Sequence, residues 1–329
     1  MGTDPDTTRL LTWLERTGTT SPLDIEFEGP IDFRMSKEPQ PRRMTLDWML
    51  PYMSRIRHLA LSGRLGGLPP GNFDSLETLR IGTVALPGTS TNDNVRTAPM
   101  LRRVAFWRKF IHLPFISWPV LTHLAIQLGT KYPIRRSILL SVLSQCTALV
   151  DLVAWCIIKD DDDSDEEDNS SDSEDEVEID AVRRVGPSEP MLMRFLTSLA
   201  IHVESQTAWL LEHLTLPALS KFSIFDATDV WLKSVYQSFM SRSAPPLETL
   251  ELNGWLMSER AFFRLLKDTP SVVDIIVKSS NRMSASLATA LIWHGQDGPS
   301  MICPKLERLS IENSHISNFP MNHLTHWRR

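Results

Sequence analysis

The chain has 329 residues, 42% of them hydrophobic, enough for two ordinary domains or one elongated repeat domain. Its net charge of −6 comes from one segment, because residues 160–180 contain 14 Asp and Glu and no Lys or Arg. Without that segment the chain carries +8, short of the clustered basic surface of a nucleic-acid-binding protein. The three cysteines are too few and scattered for disulfides or a zinc site, so a reducing cytoplasmic or nuclear location is expected. No run of about 18 apolar residues occurs, so no membrane span is expected.

Helices are predicted wherever apolar residues recur at helical spacing. The first covers residues 7–16 and is stopped by Gly18, so residues 1–20 form a helical lead-in. The later predicted helices cover residues 137–145, 207–214, 230–241, 258–267 and 284–293. Ser258 and Ser284 are placed to cap the last two.

A six-residue pattern with apolar residues at its first, fourth and sixth positions recurs along the chain. Its clear copies are LETLRI from Leu76, LRRVAF from Leu101, LTHLAI from Leu121, LSKFSI from Leu219, LETLEL from Leu247, VVDIIV from Val272 and LERLSI from Leu306. Weaker copies are PLDIEF from Pro22, IRHLAL from Ile56, LVDLVA from Leu149 and LTSLAI from Leu196. The fourth and sixth positions lie on one face of a strand, toward the core. Strands separated by crossovers predict parallel pairing, and the short connections between residues 76 and 126 predict turns or 3₁₀ segments.

This pattern is typical of an α/β leucine-rich-repeat solenoid, with a curved parallel sheet on its concave side and helices and turns on its convex side. We expect repeats over residues 21–159 and 189–313, separated by an acidic insertion over residues 160–188. A C-terminal tail over residues 314–329 follows without a polar capping repeat, so an exposed apolar end is expected.

The segment LLTWLERTGTTSPLDIEF, which begins at Leu10, resembles the stretch that follows the F-box in mushroom-type fungal F-box proteins. CPKLERLSIEN and APPLETLELNG are also similar to repeats of that family. The resemblance implies a receptor of a cullin–RING ubiquitin ligase, whose repeats capture a protein substrate and whose further partners are the Skp adaptor and a cullin. No F-box precedes Thr8, so either the sequence is truncated or the chain lost that module and only binds.

The third, fifth and seventh positions of each copy are predicted to face outward on the concave sheet, where solenoids bind their partners. The candidate binding residues are Arg103, Trp107, His123, Gln127, Asp151, Trp155, His202, Lys221 and Phe225. Trp107, Trp155 and Phe225 form a candidate aromatic patch, which Arg103 and Lys221 would flank to orient an acidic partner. The alternative is that the seventh-position aromatic residues cover the strand ends and shield the core.

The acidic residues 160–180 hold too little apolar surface to fold alone and are predicted to form a disordered loop. Ser164, Ser171 and Ser173 each have Glu three residues later, which makes them candidates for phosphorylation by an acidophilic kinase. One hypothesis is that the loop folds over the basic concave face and competes with acidic partners. The other is that it is a tolerated hydrophilic insertion.

Common catalytic motifs, such as GxSxG, HExxH and GxxxxGK[ST], do not occur in the sequence. The nine histidines have no ligand spacing, so no catalytic residue, metal or cofactor is expected. The sequence favours a substrate-recognition region of a ubiquitin ligase, with a free-standing leucine-rich-repeat protein as the alternative and a hydrolase or metal enzyme as the least favoured hypothesis. We expect a monomer that binds protein, and neither nucleic acid nor membrane.

Overall fold

The structure, a computed structural model, describes residues 12–28, 46–62, 68–69, 71–82, 97–107, 113, 115–128, 133–159, 189–202, 208–225, 233–253, 259–279 and 303–313. These residues form two compact units, the first ending at Cys146 and the second beginning at Thr147. Both units are α/β, and every strand pairing described within either unit is parallel. The parallel pairing predicted from the sequence is therefore confirmed.

The first unit contains five parallel strands, which pair with one another in sequence order. They are β1 (Leu23–Glu28), β2 (Ile56–Ser62), β3 (Thr78–Ile81), β4 (Arg103–Trp107) and β5 (His123–Gln127). Two 3₁₀ segments (Asp47–Arg55 and Trp118–Val120), the short strand β6 (Ile134–Arg135) and helix α2 (Arg136–Gln145) complete the unit, with helix α1 described over residues 12–16. The predicted helix over 137–145 and a 3₁₀ segment between β4 and β5 are confirmed. Gly18, at φ 73°, has the left-handed conformation that suits a helix stop.

The second unit alternates strands and helices more regularly. It contains β7 (Asp151–Trp155), β8 (Ile158–Lys159), β9 (Met191–Leu192), β10 (Ser198–His202), α3 (Ala208–His213), β11 (Leu214–Thr215), β12 (Lys221–Phe225), α4 (Lys233–Ser243), β13 (Thr249–Asn253), α5 (Glu259–Lys267), β14 (Asp274–Ser279) and β15 (Arg308–Asn313). The sheet order is β7-β10-β12-β13-β14-β15, and β9 pairs with β11. Helices α3, α4 and α5 confirm the three predicted over 207–214, 230–241 and 258–267. The predicted helix over 284–293 and both serine caps lie outside the described residues.

Neighbouring strands pair in the phase of the six-residue pattern. In the first unit the fourth-position residues Leu59, Leu79, Val104 and Leu124 are successive partners. In the second unit the third-position residues Ser198, Lys221, Thr249, Asp274 and Arg308 are successive partners. A one-residue slip would turn every core side chain to the opposite face, so this register keeps the outward positions in rows.

The entry to the strands repeats one hydrogen-bond arrangement. The N–H groups of Thr122 and His123 both donate to the carbonyl of Arg102, at 2.9 and 3.1 Å. Those of Glu248 and Thr249 donate in the same way to the carbonyl of Ser220, at 2.8 and 2.9 Å. Since each carbonyl has two lone pairs, it satisfies both N–H groups at once. The same hydrogen bonds therefore position the backbone at the start of these strands, just before the first outward side chain.

The inward positions build the core of each unit. Leu79 and Ile81 in the first unit, and Ile275 and Val277 in the second, are fully buried. Helix α4 covers the second sheet with Tyr236 and Phe239, whose rings lie 6.2 and 6.4 Å from that of Phe222 on β12. The inward positions of β15 differ, because Leu309 and Ile311 are 36% and 46% exposed.

Candidate binding surface

The nine residues predicted to bind a partner all lie on strands. Arg103 and Trp107 lie on β4, His123 and Gln127 on β5, Asp151 and Trp155 on β7, His202 on β10, and Lys221 and Phe225 on β12. All are partly accessible except Phe225, which is buried. Ser164, Ser171 and Ser173 lie outside the described residues.

Three seventh-position side chains of the second unit form one aromatic stack, composed of Trp155, His202 and Phe225. The Trp155 ring lies 5.3 Å from the His202 ring at an interplanar angle of 14°. It also lies 5.3 Å from the Phe225 ring, at 22°. These separations are those of favourable stacking. Phe225 is the buried member, whereas Trp155 and His202 keep accessible surface.

A charged cluster occupies the neighbouring strands β12, β13 and β14. We name it the Glu251 cluster; its members are Glu251, Lys221, Lys278, Ser223 and Asn253. The Glu251 carboxylate, only 2% exposed, accepts from the Lys278 ammonium at 2.8 Å and lies 3.3 Å from that of Lys221. The Ser223 hydroxyl and the Asn253 amide donate to it at 3.1 and 3.2 Å. Each carboxylate oxygen therefore receives one charged and one neutral donor, which balances its desolvation.

The sequence patterns pointed to Lys221 but not to the other members of this cluster. Glu251 occupies a fifth position, where most copies have a small or apolar residue such as Ala105, Ala125 or Ala200. A carboxylate in such a row departs from the pattern, and that departure is the signal that could have identified it. Arg80 and Glu26, at the same position of their copies, are the other charged departures.

In the first unit, four of the outward residues lie in two neighbouring pairs. The Arg80 guanidinium lies over the Trp107 indole, 4.5 Å from the ring centroid, so Trp107 makes a cation–π contact. Arg103 and His123 are register partners on β4 and β5. His123 Nδ1 also lies 2.8 Å from the Thr122 hydroxyl oxygen. Partial burial, together with the positive charge of Arg103, lowers the pKa of His123 to about 4.

The depressed pKa of His123 predicts a loss of stability in mild acid. Between about pH 6.5 and pH 4 the unfolded chain binds a proton at this residue and the folded chain does not, so stability falls as pH falls. Allowing for solvent screening of a partly accessible ring, we expect a contribution of about 1 kcal/mol. Urea unfolding at pH 7 and pH 4.5 measures it, with His123→Asn as the control that removes the titrating group. An equal loss in both proteins would contradict this assignment.

The described residues offer few groups for metal or redox chemistry. No cluster of three His, Cys, Asp or Glu side chains suited to a metal ion occurs among them. Cys146, Cys156 and Cys303 are free thiols, and burial raises the pKa of Cys146 and Cys156 to about 12 and that of Cys303 to about 11. They are therefore protonated and weakly nucleophilic at neutral pH. Within the described ranges no helix has the length and apolar character needed to cross a membrane.

The fold and the site define an α/β protein whose parallel strands present rows of polar and aromatic side chains on one face. No family model, curated protein or solved structure matches the chain. Its function is therefore inferred from these side chains and from the repeat pattern.

Proposed function

We propose that the chain is a leucine-rich-repeat scaffold that binds a protein partner through the outward face of its strands, and is not an enzyme. In this proposal the repeats form a solenoid with the strands on the concave side. The partner is a substrate that the chain presents to an F-box-type ubiquitin ligase. The setting is the cytoplasm or nucleus, where three free thiols persist.

The aromatic stack is the observation that supports partner binding best. Trp155 and His202 remain partly accessible while their rings stack on each other, and the ring of the buried Phe225 lies 5.3 Å from the same Trp155 ring. An aromatic side chain that is already ordered loses little conformational entropy on binding. Such anchors dominate the energetics of protein interfaces.

The ligase role is supported by the resemblance of residues 10–27 to fungal F-box proteins. A free-standing repeat protein would use the same face but would recruit no ligase. The two possibilities differ in one observable, which is whether the Skp adaptor and a cullin accompany the chain in cells.

Substituting Trp155 with Ala is expected to weaken partner binding by about thirtyfold or more, because an aromatic anchor contributes about 2 kcal/mol or more. Affinity purification of the tagged full chain from fungal cells, with quantitative mass spectrometry, measures the loss. Trp13→Ala is the matched control, since Trp13 is 54% exposed on α1 and lies outside the strands. Circular dichroism melting verifies that both variants remain folded.

Partners lost from Trp155→Ala and retained by Trp13→Ala support the scaffold, and an adaptor and cullin among the proteins recovered with the unmodified chain support the ligase role. Specific partners without adaptor or cullin identify a free-standing binder. Equal recovery of every partner by both folded variants would contradict the proposed surface.

A further inference from the structure

The outward faces of β2 to β5 in the first unit have an unusual charge composition. Of the twelve outward positions in these four copies, two are arginine, Arg80 and Arg103, and none is aspartate or glutamate. Among the described outward positions of the first unit, the acidic residues lie on the edge strand β1, where Asp24 lies 3.9 Å from His58. The described centre of this sheet face is therefore basic, although the whole chain is acidic.

Each of the two arginines lies near an aromatic side chain of the sheet, and both are partly buried. The Arg80 guanidinium lies 4.5 Å from the centroid of the Trp107 ring, and this cation–π contact restricts its position. Arg103 is close enough to His123 for its charge to contribute to the lowered pKa of that ring, which stays neutral at pH 7.

The outward positions between these residues on β4 and β5 carry small side chains. Ala105 and Ala125, at the fifth positions of β4 and β5, have no exposed surface. The accessible surface of these two strands therefore belongs to the longer side chains at the third and seventh positions, among them Arg103 and Trp107. A ligand would contact guanidinium and indole groups before any backbone.

The spacing of the two arginines matches an extended peptide. Arg80 pairs with Ala105 and Arg103 pairs with Thr78, so the arginines are diagonal neighbours. A strand spacing of about 4.8 Å and a two-residue offset of about 6.6 Å put their Cα atoms roughly 8 Å apart. Alternate side chains of an extended peptide are about 7 Å apart on one face, within reach of two flexible arginines.

We propose that the outward face of β3, β4 and β5 binds an acidic segment of the protein partner, an extended peptide with Asp or Glu at alternate positions, through Arg80 and Arg103. This rests on the proposed function of the chain as a protein-binding scaffold. A carboxylate accepts bidentate hydrogen bonds from a guanidinium, and carboxylates at alternate positions lie on the same face of the peptide, toward the two arginines. Two arginines fit a short acidic peptide better than a polynucleotide, which requires a longer basic stripe.

Fluorescence anisotropy with the full chain tests the proposal. The probe is a labelled ten-residue peptide of alternating Asp and Ala, and its control has Asn in place of Asp. We expect binding of the Asp peptide that weakens with salt, and about tenfold weaker binding for Arg80→Gln and for Arg103→Gln. Arg16→Gln, an equal charge change at an exposed position of α1, is expected to leave binding unchanged. Arg103→Lys, which keeps the charge but not the bidentate geometry, is expected to be intermediate.

Equal binding of both peptides, or equal losses for Arg16→Gln and Arg103→Gln, would overturn the proposal. So would tighter binding of a ten-nucleotide single strand than of the Asp peptide. If tagged chain recovers Trp155-dependent partners while the Asp peptide does not bind, the acidic partner is excluded and the scaffold function stands. If the tagged chain recovers no Trp155-dependent partner and the Asp peptide does not bind, the scaffold function itself fails.

Discussion

Replacing both Lys221 and Lys278 with methionine is expected to lower the free energy of unfolding by about 3–5 kcal/mol. Methionine keeps much of the apolar stem of each lysine but removes both ammonium groups, which lie 3.3 and 2.8 Å from the Glu251 carboxylate. Ser223 and Asn253 would still donate hydrogen bonds, but no positive charge would balance a carboxylate that is 2% exposed. Urea unfolding at pH 7 measures the change.

Two controls separate the loss of charge balance from other effects. Lys305→Met changes an exposed lysine of the second unit and is expected to alter stability by less than about 0.5 kcal/mol. Adding Glu251→Met to the double variant is expected to recover much of the lost stability, because apolar residues often replace a buried ionic cluster without penalty. A double variant as stable as Lys305→Met would show that the two lysines do not offset the cost of burying the Glu251 carboxylate.

Replacing Phe222 with alanine is expected to cost about 3–5 kcal/mol, the usual effect of deleting a buried aromatic ring. Phe222 is fully buried on β12, and its ring contacts Tyr236 at 6.2 Å and Phe239 at 6.4 Å on α4. The resulting cavity would lie between the strand and the helix that covers it. Chemical unfolding followed by circular dichroism measures the loss.

Phe195→Ala is the matched control, because it removes the same ring from a position that is 61% exposed. It is expected to change stability by less than about 0.5 kcal/mol. Similar costs for the two variants would mean that α4 does not pack on β12 as the structure describes. A large loss of stability for Phe222→Ala alone would support the packing of α4 on β12.

Several strands and helices were predictable because the spacing of apolar residues within one short segment is enough to indicate them. Alternation in LRRVAF and LSKFSI assigns Val104, Phe106, Phe222 and Ile224 to the core, and all four are fully buried. Helical spacing likewise located α2, α3, α4 and α5 within a few residues of their observed bounds. Side-chain direction repeats with a period of two residues in a strand and 3.6 in a helix, so a short segment reveals which face is inward.

The candidate surface was only partly predictable. Trp155 and Lys221 were placed on the outward face by their positions in the pattern, yet Phe225, at an equivalent position, is buried. The difference arises because Trp155 reaches across the β10 strand to stack on both His202 and Phe225. Such a contact depends on which strands are neighbours and on rotamer choice, and the local pattern specifies neither.

By itself, the sequence determined the strand positions, their phase and the parallel direction of their pairing, because each follows from residues within one copy of the pattern or from the crossover after it. Only the tertiary structure decided which outward side chains meet. Glu251 lies 28 residues from Ser223 and 27 from Lys278, and no local pattern links them. They meet because the crossovers bring β12, β13 and β14 into register, where desolvation makes a shared set of donors favourable.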